Sequence, residues 1–253
     1  MEKSTSSRDK ENRPLLIAIV AVVALFIAGV IILPRIKSDS KKSEVDISSY
    51  SDRNYATVIP ANEDNGNIGE HIKGDESAPV TIFEYADFQC SGCANFNPWA
   101  KELLEEFDGK LRIVFRSFPL NIHQNAIAAS SAAEAAGLQG YWEEYGDLLF
   151  ANQAEWFYST GSKRTEQFVS YFEEVTGGSG DVEKFRSDMS SENVKKKVNF
   201  DSAIAKQLEI SATPAFFGED GNEIEWIKSD TQTKADTLDI FRNYINEQLK
   251  QKN

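Results

Sequence analysis

The sequence predicts an α/β domain with a large helical insertion, preceded by a single N-terminal transmembrane helix. Three observations carry that expectation. Residues 15–33 are uncharged and apolar, two β-rich runs flank one amphipathic helix between residues 80 and 115, and residues 122–208 are almost wholly helix-periodic before strand character returns at Pro214. The chain has 253 residues, 41% hydrophobic and 26% charged, which suits one sizeable domain with accessories and excludes a disordered or fibrous chain. A formal charge of −13 disfavours nucleic acid, whose phosphates reward basic surfaces. The charge is uneven. Residues 1–42 hold eight Lys/Arg against four Asp/Glu, and the rest of the chain holds 19 against 36, so a basic head precedes an acidic body.

The head reads as a membrane anchor. LLIAIVAVVALFIAGVIIL, residues 15–33, would form a helix of roughly 28 Å, close to the ~30 Å hydrocarbon core. Pro14 opens it and Pro34 stops it. A cleaved signal peptide should have a shorter apolar run ending in a small-x-small site, and no such site follows. Four basic residues lie on each side of the span, so the positive-inside count ties. The free N-terminal amine favours a cytoplasmic N-terminus. The expected order is a cytoplasmic tail (1–13), the anchor (14–34), a flexible Ser/Asp/Asn/Lys-rich tether (35–70) and the body (71–253).

Within the body, residues 80–85 (VTIFEY) are β-branched and aromatic, as a buried strand requires. After DFQCSGC, Phe96, Trp99, Ala100, Leu103, Leu104 and Phe107 mark one face of a helix. Asp108-Gly109 ends it, and residues 111–115 (LRIVF) form the next strand, giving a β-α-β unit with a parallel pair. The insertion, about 122–208, divides into helices over 122–138, 141–150, 165–175, a short one capped by Asp181, and 191–208. Residues 214–217 and 223–228 read as two strands joined by the turn Glu219-Asp220-Gly221-Asn222, and Leu238, Phe241, Ile245 and Leu249 mark a closing helix. Trp99 and the aromatics at 156–158 and 171–172 are expected in the core.

Cys90 and Cys93 are the only cysteines, in a C-x-x-C arrangement. As a structural disulfide the pair closes too small a loop to constrain the unfolded chain much. As half a zinc site it needs two more ligands, and beyond it there are only His71 and His123, with no H-x₃₋₅-H pair. A redox dithiol fits best. Cys90 falls where a strand ends and a helix begins, so unpaired N–H groups and the helix dipole favour its thiolate as nucleophile. Cys93, one turn on and more buried, is the resolving thiol. His71 and His123 read as structural, packing or capping residues.

Three segments then carry a family resemblance: VTIFEYADFQCSGC, FPLNIHQNA (118–126) and SATPAFF (211–217). Together, in this order and over about residues 70–250, they resemble the DsbA-type thiol–disulfide oxidoreductases of the thioredoxin superfamily. The resemblance implies a thioredoxin-like core interrupted by a helical domain. It implies that Pro214 is a cis-proline facing the disulfide, that Thr213 contacts the substrate backbone, and that Glu84 is a buried acid accepting the Cys93 proton. It implies no cofactor beyond the Cys90–Cys93 disulfide and no metal. One departure stands out. Ser91-Gly92 separates the cysteines, without the His or Pro of strongly oxidising members, which predicts a less acidic Cys90 and a less oxidising disulfide.

A dithiol oxidant is useful only where disulfides persist, which agrees with a single-pass cell-membrane protein whose catalytic domain is extracytoplasmic. The expected activity is oxidation of cysteines in exported proteins through a mixed disulfide, with re-oxidation by a membrane redox partner of DsbB or VKOR type. A disulfide reductase or isomerase remains the alternative within enzymes. A copper or zinc metallochaperone using the same cysteines is the alternative outside them.

Overall fold

The computed structural model describes residues 55–227 and 232–252. The expected anchor and the tail before it lie outside these residues, as does most of the tether. Among the described residues no helix is long and apolar enough to cross a membrane.

The centre is a four-stranded sheet ordered β1-β3-β2-β4, with β1 at His71–Gly74, β2 at Val80–Ala86, β3 at Leu111–Ser117 and β4 at Ala215–Gly218. Strands β2 and β3 run parallel, Val80 opposite Leu111, on either side of helix α1 (Ser91–Glu106), as the β-α-β pattern predicts. Every residue of β2 is buried, which is why it reads as a continuous apolar run rather than an alternating one. Strands β1 and β4 are antiparallel edges.

Helices cover both faces. Val80, Ile82, Leu111, Ile113 and Phe216 pack against Phe96, Ala100 and Leu103 of α1 and against Leu238, Phe241 and Ile245 of the C-terminal helix Lys234–Lys252. On the other face Phe83, Tyr85 and Val114 meet Phe200, Ile204 and Ala205 of the helix Glu192–Gln207. Between β3 and that helix lies the insertion, α2 (Ala126–Gly137), α3 (Trp142–Ala151), α4 (Gln153–Trp156), α5 (Gly161–Val175) and α6 (Val182–Asp188). Its core gathers Phe88, Cys93 and Phe115 with Trp142, Tyr145, Trp156, Phe168, Phe172 and Phe185, so the active-site segment belongs to the insertion's packing as much as to the sheet's. Asp181 caps α6 through Lys184 N, as expected, and Ser191 caps α7 (Glu192–Gln207) through Val194 N. The closing helix is α8 (Lys234–Lys252).

Several expectations are corrected. The tether does not reach residue 70. Ala56, Ile59, Asn65 and Ile68 are buried, and Arg116 of β3 gathers the segment by donating to the Tyr55 and Thr57 carbonyls and to Glu70. The apolar positions there follow no period, so only the buried guanidinium reveals the packing. Strand β1 (HIKG) is too short and polar to stand out. The helix expected from residue 122 starts at Ala126, because His123 and Ala126 close turns on the Leu120 and His123 carbonyls. Residues 223–227 make one bridge, Phe217 to Glu223, rather than a strand, with pairing limited to the Gly218 N–H on the Asn222 carbonyl and the Ile224 N–H on the Phe216 carbonyl. Tyr158, expected in the core, is exposed.

Candidate active site

Strand β2 delivers the chain into Asp87-Phe88-Gln89, and Cys90 is the N-cap residue of α1, with extended backbone (φ −77°, ψ 124°) and no side-chain cap of its own. Its sulfur is half-buried, and Cys93, one turn on, is fully buried; both are free thiols. Cys90 Sγ lies 3.3 Å from the carbonyl oxygen of Thr213, and the Thr213–Pro214 peptide is cis. Gly92 is the contact between the two halves. A Cβ there would stand 3.1 Å from Pro214 Cδ and 3.6 Å from Cys90 Sγ.

The two thiols are driven apart in acidity. Cys90 is pulled down to about 5, chiefly by a hydrogen bond from the Cys93 thiol and further by the backbone N–H groups of Cys93 and Gly92, against the opposing effect of burial. The Thr213 side chain also lowers it, more than the backbone N–H groups do, and is distinct from the Thr213 carbonyl, which accepts only from a protonated thiol. Cys93 is pushed well above its ordinary value by burial, by its bond to Cys90 and by the charge of a Cys90 thiolate. The Cys93 thiol, with the donors at the helix N-terminus, thus lowers Cys90 without a His between the cysteines.

Glu84 is fully buried in β2, with one carboxyl oxygen lacking any hydrogen-bond partner. Burial raises its pKa, and Lys73 opposes that rise. Lys73, itself buried on β1, donates to Asn97 Oδ1 at 2.9 Å and lies against the Phe115 and Trp142 rings. The charge on Glu84 in turn raises Cys93, so the acid is within electrostatic reach of the resolving thiol.

Neither histidine is at the sulfurs. His71 stacks on Trp142 and bonds Glu134 at 2.8 Å. His123 bonds Asp87 Oδ2 at 2.7 Å, alongside the Leu120 N–H, while Asp87 Oδ1 accepts from Gln89 N. Among the described residues no group of three or more His, Cys, Asp or Glu is placed to hold a metal ion.

Sequence reasoning missed the polar straps that hold the segment before Cys90. Gln89 accepts from Asn125 N and donates to the Phe157 carbonyl, and Gln153 donates to the carbonyls of Phe88 and Cys90. Asn125 donates to the Trp156, Phe157 and Ser159 carbonyls and accepts from Arg164. Polar side chains of this kind obey no period. The one signal available was the amides themselves, Gln89 beside Cys90 and Gln124-Asn125 just ahead of the insertion.

The thioredoxin family profile matches residues 66–238, which takes in both cysteines, Thr213 and Pro214. The chain belongs to the thioredoxin family. Among solved structures this thioredoxin-family chain is similar to a thioredoxin-like oxidoreductase from Silicibacter pomeroyi DSS-3, at 25% identity and TM-score 0.53, covering 72% of this chain and 99% of that one. It shares its fold with oxidised BdbD from Bacillus subtilis, at 19% identity and TM-score 0.60, covering 77% and 98%. It shares the fold also with the thiol-disulfide exchange protein α-DsbA2 from Wolbachia pipientis, at 16% identity and TM-score 0.57, covering 81% and 94%. By sequence it is 34% identical over 161 residues to the Na(+)/H(+) antiporter NhaA 1 of Salinispora arenicola, a match spanning 63% of this chain and 22% of that protein. The chain thus matches about a fifth of the length of that curated relative. In general terms, the dithiol and the fold support a thiol–disulfide oxidoreductase.

Proposed function

We propose that the chain is a membrane-anchored thiol–disulfide oxidase that introduces disulfides into exported proteins. In the oxidised enzyme a substrate thiolate attacks Cys90 Sγ. The substrate–Cys90 disulfide forms, the Cys90–Cys93 bond breaks, and Cys93 leaves as a thiolate that takes a proton, with Glu84 as its buried donor. A second substrate thiolate attacks the substrate sulfur of the mixed disulfide and expels Cys90 as a thiolate. The substrate is oxidised by two electrons and the enzyme dithiol is reduced. Thr213 and Pro214 hold the substrate backbone beside the sulfur. Residues 14–34 anchor the chain with the body outside the cytoplasm, where a quinone-linked membrane partner of DsbB or VKOR type takes the electrons.

The observation that carries the oxidising direction is the placement of Cys90 at the N-cap of α1 with the buried Cys93 thiol one turn on, an arrangement that pulls Cys90 down to about 5. A stabilised thiolate stabilises the reduced enzyme, and a stable reduced form makes its disulfide a strong oxidant. The test is the reduction potential of the pair in glutathione buffers. A value near the roughly −120 mV of DsbA supports the oxidase, and one near the roughly −270 mV of thioredoxin overturns it in favour of a reductase.

A further inference from the structure

Between the segment that follows α7 and residues 223–227 lies a cavity of about 290 Å³. Pro214 is one of its lining residues, and its ring faces Gly92 while its neighbour Thr213 contacts Cys90, so one end of the groove adjoins the contacts of the reacting sulfur. Its walls are apolar (Ile210, Phe217, Trp226 and Ile227), and Trp226 is fixed by its bond to the Pro214 carbonyl. Glu209 and Glu223 also line it, and among the described residues no Lys or Arg does. Glu209 is exposed and sits just beyond α7 at φ 57°, the left-handed position that ends many helices and usually carries glycine. Here that position carries a carboxylate at the groove instead.

Apolar walls under a carboxylate rim match one kind of side chain, a long methylene stem ending in a cation. The volume is at the bottom of the roughly 300–1,000 Å³ range of small-molecule sites, so it suits a side chain better than a compact cofactor. Resting on the oxidoreductase reading above, we infer that this groove gives the enzyme a substrate preference: extended segments with Lys or Arg close to the reacting cysteine. The stem lies along Ile210 and Trp226, the cation meets Glu209 and Glu223, and the Trp226 ring adds cation–π attraction. The same carboxylates disfavour segments with Asp or Glu at that place.

The test uses the oxidised full chain in detergent and three short peptides with one cysteine flanked by Lys, Ser or Glu. Mixed-disulfide formation is followed by acid quench and mass spectrometry, and rates are divided by each peptide's thiolate fraction. The Lys peptide is expected to react about tenfold faster than the Glu peptide at low salt, with the ratio shrinking at about 0.5 M salt. Glu209→Gln with Glu223→Gln brings the ratio to about twofold, and Glu209→Lys with Glu223→Lys inverts it. Glu105→Gln with Glu183→Gln, exposed carboxylates elsewhere, leaves the preference in place. Equal corrected rates, or an equal loss in that last pair, overturn the inference while leaving the enzyme reading intact. If no peptide forms a mixed disulfide, both fail.

Discussion

Lys73 and Glu84 lie on one face of the sheet with Phe115 between them. Phe115 is the register partner of Glu84, and the Lys73 ammonium sits 5.5 Å from the centre of its ring. The cation that moderates this buried acid therefore comes from the edge strand β1, across an aromatic ring, and is held there by Asn97. Asn97 in turn donates to Asp147, which pairs with Lys101 nearer the surface.

That arrangement predicts a pH effect with a definite sign. Lys73 favours the ionised carboxyl, so Lys73→Met raises Glu84 further and leaves it protonated to higher pH. Reduced enzyme must deprotonate Cys93 to resolve a mixed disulfide, and the acid limb of that rate should move to higher pH in the variant. Glu84→Gln should slow the step by about 100-fold, the lower end for a general base. Stopped-flow resolution rates between pH 5 and 9 decide it. An unmoved profile in Lys73→Met would leave the lysine a packing role only.

The acidity of Cys90 has its largest source in Cys93, which makes a direct prediction. Thiolate absorbance near 240 nm in the reduced chain should titrate with a midpoint of about 5. In Cys93→Ala that donor is gone and only the Thr213 side chain and the backbone N–H groups remain, so the midpoint should rise. A midpoint that stays put would move the credit to those remaining groups.

The helix after C-x-x-C was legible because its buried face leaves a 3.6 period, and the strands on either side because burial on both faces leaves short β-branched and aromatic runs. The resemblance added the cis Thr213–Pro214 peptide, which no spacing argument supplies. Three things left no such trace. Strand β1 is short and polar, residues 55–70 pack without regularity, and the amide straps of Gln89, Asn125 and Gln153 act through individual hydrogen bonds. The lowered pKa of Cys90 is legible from its place at the helix start, whereas the hydrogen bond between the thiols is a product of the folded helix turn and leaves no trace in the sequence.

Arg116 should be the largest single contributor to holding the N-terminal segment. Its guanidinium is buried against an equally buried Glu70 at 2.5 Å, with Tyr85 and two backbone carbonyls as further partners. Arg116→Met strands the Glu70 carboxylate and should cost about 3–5 kcal/mol in urea unfolding, with new proteolytic cuts between residues 55 and 70. Adding Glu70→Gln should recover part of the loss. No recovery would mean that the cost is packing rather than charge.

Stability of the reduced chain should depend on pH in a way that the oxidised chain does not share. Folded Cys90 titrates at about 5, whereas an unfolded cysteine titrates at about 8.5. Between those values the unfolded reduced chain binds the extra proton, so stability rises with pH across this window and is lost as pH falls through 5. Cys93 acts in the opposite sense, because its raised value keeps a proton that the unfolded chain releases; its effect begins only above about 8.5. A disulfide has neither proton to give. The melting-temperature difference, reduced minus oxidised, should therefore climb from pH 5 to about 8.5 and fall beyond it. A difference that is flat over the lower window would mean that Cys90 has an ordinary thiol pKa, and the argument for a strong oxidant would go with it.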